Sequence, residues 1–164
     1  MPTPGARLAA YLNDHLAGAE AALEVLETLQ QHEDAAIARF AAELRPRIVE
    51  DRDELVRLMH AVDISPSRAR RTVGWIGEKA AELKLALDDP SDSGLRTFER
   101  LEAIAPGIDG KRALWAALQT IARTVPALHD ADFVRLARRA DDQRAAVEAR
   151  RLACASVAFA PAAG

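Results

Sequence analysis

His15 and Asp51 are the residues whose types and spacing most clearly allow chemistry. If the chain turns back near Glu33, the two lie equally far from that turn and face each other. A polar group in a helical seam must find a partner or destabilise the fold. We therefore predict that His15 and Asp51 are buried and hydrogen-bonded to each other. Each is the only polar member of an apolar stripe with helical spacing, namely Leu8, Leu12, His15, Ala19, Ala22, Leu26 and Leu29, and Ile37, Ala41, Leu44, Ile48, Asp51, Leu55, Leu58 and Val62.

Further polar residues are predicted at the same height of the molecule. Counting along the three predicted helices that follow, at about 1.5 Å per residue, brings one such group from each of the first two and two from the third to this level. They are Glu78, Glu102, Glu148 and Arg151. The sequence thus predicts a polar layer inside a helical bundle.

Two interpretations of this layer compete. In the first, His15 bonds to Asp51 and Glu102 pairs with Arg151, and together these contacts set the register of the helices. In the second, His15, Asp51 and Glu102 bind a metal ion, because inward histidines and carboxylates are the ligands of di-metal bundles. A third outcome places some of these groups at the surface.

The helical period predicts five helices and no strand. Pro46 should kink or break the second helix, and we favour a single fourth helix kinked at Pro106, although PGIDG at 106–110 also allows a break. Short connections imply antiparallel neighbours, so we expect an up-down bundle of four to five helices in one domain over 1–164, ordered from about 7 to 159. The helices cover about 7–31, 34–62 and 66–87, with a fourth starting near Gly94 and a fifth near Asp132.

Composition narrows the class of protein. Hydrophobic residues form 49% and charged residues 29% of the chain, which is typical of a globular domain with a real core. The net charge of -3 gives no basic excess for nucleic acid. No apolar run approaches the ~18 residues of a membrane span. Cys154 is the single cysteine, so no internal disulfide or cysteine-based zinc site can form. We expect a cytoplasmic protein.

The layout of a helical hairpin, a connecting helix and a second hairpin with inward carboxylates resembles the ferritin-like superfamily. That resemblance implies a metal-binding protein, either a di-metal oxidoreductase or a storage relative, with iron or manganese. The superfamily uses Glu-x-x-His pairs on two helices, and this chain contains none, so its ligand set is not carried over. Separately, the segments YLNDHLAGAEAA, WIGEKAAELKL and GKRALWAAL resemble a bacterial protein family with no assigned activity.

The sequence predicts a protein that is not an enzyme. It contains neither a Gly-rich phosphate loop nor a Ser-His-Asp motif. We expect a helical bundle without a cofactor that acts by self-association or by binding a partner. Alanine-rich helix faces allow close helix approach and therefore homo-oligomers. The alternative is a ferritin-like metal-binding protein that uses the polar layer.

Overall fold

The computed structural model describes residues 1, 3–67 and 94–159. These residues form four α-helices and contain no strand, which confirms the predicted all-α bundle. The predicted helix over 66–87, with Glu78 inside it, falls almost entirely outside the described residues. The helices are α1 (Pro4–Gln30), α2 (Ala35–Ala61), α3 (Gly94–Ala122) and α4 (Phe133–Ala158), and a 3-10 turn at Pro126–Leu128 precedes α4.

The helix starts follow from capping side chains. The carboxylate of Asp34 accepts the backbone N–H of Ala36 at 2.7 Å ahead of α2. Asp132 accepts the N–H of Arg135 at 2.9 Å ahead of α4. Such caps satisfy backbone donors that have no partner within the helix. The two internal prolines do not break their helices, since α2 continues through Pro46 and α3 through Pro106.

Each helix packs against two neighbours. Helix α1 contacts α2 and α3, and α4 contacts the same two helices. His32, just after α1, shares a hydrogen bond of 2.8 Å with Thr97 at the start of α3, so α1 and α3 are antiparallel. Helices α2 and α3 therefore lie across the diagonal of the bundle and run in the same direction. The end of α2 and the start of α3 lie at opposite ends of the molecule.

Two apolar clusters fill the interior, one towards each end. The cluster near the α1–α2 turn contains Leu26, Leu44, Ile104 and Val147 among its members. The cluster at the opposite end contains Leu12, Leu58, Trp115 and Phe133. Asp51 lies where they meet, between Ile48 of the first and Leu55 of the second. The bundle is therefore apolar at both ends and polar at its middle.

Two close approaches tie the ends of the described segments to the bundle. A Cβ at Gly94 would lie 2.8 Å from Val157 Cγ1 and 3.2 Å from the Val157 carbonyl carbon, so α3 begins where only glycine fits without movement. The buried Asn13 accepts the backbone N–H of Ser67 through Oδ1 at 2.6 Å. Its Nδ2 donates to the Ala9 carbonyl. Helix α1 thereby holds the chain beyond α2.

Candidate functional site

The site is built around the buried carboxylate of Asp51 on α2, which is 2% exposed. Its Oδ2 accepts from Lys111 Nζ at 2.5 Å and from Gln143 Nε2 at 2.8 Å. Its Oδ1 lies 3.0 Å from Arg139 Nη2, a charge contact that lacks hydrogen-bond alignment. Arg139 also pairs with the exposed Glu50 at 2.7 Å. A single carboxylate thus faces two cations in the middle of the bundle.

Lys111 and Gln143 complete a closed network with Asp51. The Lys111 ammonium reaches from α3 across the bundle diagonal to Asp51 and also donates to Gln143 Oε1. Gln143, on α4, is fully buried and contacts both partners. Burial lowers the pKa of Lys111, and the charge of Asp51 opposes that shift. The network joins α2, α3 and α4 at one point.

His15 lies beside this network but is not part of it. It lines the same cleft as Asp51 and Lys111, and its ring packs edge-on against Tyr11 with centroids 4.6 Å apart. Burial lowers the pKa of His15 to about 4, although the charge of Asp14 opposes the shift. The imidazole is therefore neutral at pH 7.

The predicted His15–Asp51 hydrogen bond is corrected by the structure. The register argument places both residues at one level, since both line the cleft. Within the described residues, however, the hydrogen bonds of Asp51 go to Lys111 and Gln143. A buried carboxylate forms a stronger hydrogen bond with a charged lysine than with a neutral imidazole.

A cleft of about 80 Å³ opens beside the network, between α1, α2 and α3. Its walls are mainly apolar, and it reaches Asp51 and Lys111. Trp115, 1% exposed, also lines it, and its Nε1 has no hydrogen-bond partner in the described part of the chain. Small residues on α1 and α3 leave this space unfilled, namely Gly18, Ala19, Ala22, Ala103, Gly107 and Gly110.

Glu102, Glu148 and Arg151 form a separate cluster at the surface of α3 and α4. Arg151 Nη1 donates to Glu102 Oε2 at 3.1 Å, and Arg151 Nη2 donates to Glu148 Oε1 at 2.6 Å. The hydrogen bonds from Arg151, joined by one from Arg144, lower the pKa of Glu148 to about 2. The Glu102 side chain is 60% exposed.

The predicted pairing of Glu102 with Arg151 is confirmed, whereas the prediction that Glu102 lies in the core layer is wrong. The height was estimated from the rise per residue, whereas the face is set by the rotation of about 100° per residue. The side chain of Leu101, the residue before Glu102, points into the core and is fully buried.

The predicted metal ligands do not come together. Among the described residues, no group of three or more His, Cys, Asp and Glu side chains is placed to hold a metal ion. Both oxygens of Asp51 face cations, and Glu102 points to the surface. A metal ion bound to Asp51 would have to displace Lys111 or Arg139. The donor set therefore does not fit a di-metal centre.

Comparisons with protein-family models, with curated proteins and with solved structures found no match. None of the four described helices is long and apolar enough to cross a membrane. The geometry of the cleft and its network is therefore the basis of the function proposed below.

Sequence reasoning missed Lys111 and Gln143, although the sequence carries the signal. Lys111 follows Ile108 by three residues on the buried stripe of α3. Gln143 stands between Ala140 and Val147 on the buried stripe of α4. The criterion that selected His15 and Asp51, a polar residue within an apolar helical stripe, selects both of these residues as well.

Proposed function

We propose that this protein acts by binding rather than by catalysis, and that the cleft between α1, α2 and α3 is its binding site. The observation that carries the proposal is an apolar cleft of about 80 Å³ that ends on the Lys111–Asp51 pair. Apolar cavities with a few convergent polar groups are the usual form of small-molecule sites. Shifted pKa values, as at His15 and Lys111, also concentrate at such sites.

The chemistry of the cleft favours binding over catalysis. Lys111 is tied to a carboxylate at 2.5 Å, so it is held as an ammonium ion and not as a nucleophilic amine. Both Asp51 oxygens already face donors or cations of the protein, so neither is open to a substrate. His15, with a pKa of about 4, is a weak base at neutral pH.

A comparison of two glycine variants tests the binding site. A side chain at Gly107 meets open space at the cleft, as one at Gly5 does at the far end of α1. Ligand-observed NMR with a library of small fragments should find binders to the wild type that are lost in Gly107→Leu and retained in Gly5→Leu. Equal binding to both variants would contradict the proposal.

The ferritin-like, metal-binding alternative remains testable on the same protein. It would require His15 and Asp51 to bind iron or manganese after Lys111 has moved away from Asp51. Metal analysis of protein purified without a histidine tag should find well below one equivalent of either metal. Near-stoichiometric metal that disappears in Asp51→Asn would replace the binding proposal with the alternative.

Self-association is the second candidate, favoured by an exposed apolar surface at one end of the α3–α4 pair. It consists of Leu95, Leu152, Val157 and Phe159, exposed by 40%, 56%, 68% and 63%. Phe159 packs edge-on against Phe98 with centroids 5.1 Å apart, which joins the two helices within this surface. We propose a second copy of the chain as its partner, because one patch can pair with itself across a two-fold axis.

Light scattering after size exclusion tests the dimer. Leu152→Lys should convert a dimeric wild type into a monomer. Val134→Lys is the matched control, because Val134 is equally exposed on the same helix but lies at its other end. A monomeric wild type, or dissociation by both variants alike, would exclude this surface as the interface.

A further inference from the structure

We infer that the cleft selects a small uncharged molecule with an apolar ring or branched chain and one hydroxyl or carbonyl oxygen placed against Lys111. This inference rests on the proposed function, because it names the class of ligand for the same cleft. Three independent properties of the cleft lead to it: its charge balance, its unused hydrogen-bond donors and its size.

The charge balance excludes an ionic ligand. Lys111 is paired with Asp51, and Arg52, the other cation lining the cleft, pairs with Asp53 at 2.8 Å. His15 is neutral at pH 7, since its pKa is about 4. A charged ligand would bring an unmatched charge into an apolar space and lose its hydration there. A neutral ligand avoids this penalty.

The hydrogen-bond donors call for an acceptor. An ammonium group has three donors, and Lys111 uses two of them on Asp51 and Gln143. Two further donors on residues that line the cleft have no hydrogen-bond partner in the described part of the chain, namely Trp115 Nε1 and Arg52 Nε. Buried donors are normally satisfied. A single ligand oxygen is therefore the complement that this wall of the cleft lacks.

The size of the cleft limits the rest of the ligand. A dry cavity of about 150 Å³ holds the six non-hydrogen atoms of benzene, so 80 Å³ encloses about three such atoms, and the other atoms of a larger ligand lie at the open mouth. The side chains of Ile48, Leu55, Ile104 and Leu114 supply apolar contact. A five-membered ring or a branched chain of similar bulk matches this space.

Four small molecules with the same ring but different charge and hydrogen-bonding groups test the preference for a neutral ligand and for an acceptor oxygen separately. They are cyclopentanol, cyclopentane, cyclopentanecarboxylate and cyclopentylammonium, titrated into the full-length ¹⁵N-labelled protein while the indole N–H signal of Trp115 is followed. The chain has two tryptophans, and Trp75→Phe assigns the signals. Cyclopentanol should shift the Trp115 signal and bind about tenfold more tightly than either ion, because the ions pay for lost hydration.

Two variants test the placement of the oxygen and of the ring. Lys111→Met should reduce the preference for cyclopentanol over cyclopentane, since it removes the ammonium donor and leaves the weaker neutral donor of Trp115. Gly107→Leu should abolish binding of both, whereas Gly5→Leu should leave it unchanged. If Lys111→Met does not fold, the ranking of the four probes on the wild type decides the inference by itself.

Each contrary result overturns a different statement. Tighter binding of either ion overturns the neutral ligand. Equal binding of cyclopentane and cyclopentanol overturns the acceptor oxygen and leaves the cleft as a binding site. If no probe binds the wild type and the fragment library also finds no cleft binder, the proposed function fails together with the inference.

Discussion

Replacing Asp51 by leucine should be among the most damaging single substitutions in this protein. The variant leaves the Lys111 ammonium in the middle of the bundle with only the Gln143 oxygen as a partner. Removing one member of a buried ion pair costs about 3–5 kcal/mol, because the other charge stays buried and uncompensated. We expect Asp51→Leu to lower the free energy of unfolding by this amount at pH 7.

The opposite single variant should cost less. In Lys111→Met the Asp51 carboxylate keeps the Gln143 N–H at 2.8 Å and the Arg139 guanidinium at 3.0 Å. The remaining hydrogen bond from Gln143 and the nearby charge of Arg139 reduce the loss to about 2–3 kcal/mol. The triple variant Asp51→Leu, Lys111→Met, Gln143→Leu replaces the whole network by apolar side chains, and its loss should be no more than about 1–2 kcal/mol.

Urea unfolding of the wild type and the three variants, at pH 7 and pH 9.5, measures these differences. Burial keeps the pKa of Lys111 below its ordinary value of 10.5. The unfolded chain therefore binds more protons as the pH approaches 10.5, and stability rises with pH. The deficit of Asp51→Leu should shrink at pH 9.5. A triple variant whose loss reaches the sum of the losses of the two single variants would refute the closed network, as would a larger loss for Lys111→Met than for Asp51→Leu.

Three further predictions concern single positions. Between pH 6.5 and about 4 His15 is protonated in the unfolded chain but neutral in the folded chain. The free energy of unfolding should therefore fall by up to about 3 kcal/mol as the pH drops through this range. Urea unfolding of His15→Gln should lack this part of the pH dependence. Thermal melts should show Gly94→Ala destabilised by about 1–2 kcal/mol because its Cβ meets α4, while Gly107→Ala, with open space around its Cβ, gains about 0.5–1 kcal/mol. Asn13→Ala should speed hydrogen exchange at residue 67 and cost about 1–3 kcal/mol by removing a buried acceptor. A stabilised Gly94→Ala or a destabilised Gly107→Ala, a pH slope unchanged by His15→Gln, or unchanged exchange at residue 67 would contradict these accounts.

The elements of the fold were largely predictable from the sequence. Apolar spacing predicts helices with starts near Asp34 and Asp132, and in the structure α2 and α4 begin directly after these residues. The preference for one helix through Pro106 is also confirmed. These features depend on a few neighbouring residues, so they can be read locally. The register of the α1–α2 hairpin is local as well, and it brings His15 and Asp51 to one cleft.

The partners of Asp51 could not be found from that hairpin. Lys111 and Gln143 lie on helices α3 and α4, whose placement depends on how the two hairpins dock. The height of a residue along the bundle does not determine whether its side chain is buried, because burial also depends on the rotation of the helix. Glu102 satisfies the first condition and fails the second. The cleft also escaped prediction, because a space is created by side chains that are missing at positions such as Gly107 and Gly110.

The sequence separations within the network determine when it can form during folding. Asp51 is 60 residues from Lys111 and 92 from Gln143, whereas Lys111 and Gln143 are only 32 apart. Contacts between distant residues require the closure of long loops, so they form after local helix pairs. Asp51 lies on the first hairpin and both of its hydrogen-bond partners lie on the second, so the carboxylate is enclosed only when the two hairpins join. A contact made after the rate-limiting step slows unfolding more than it speeds folding. We therefore expect the polar centre of this bundle to prolong the lifetime of the folded state more than it accelerates folding.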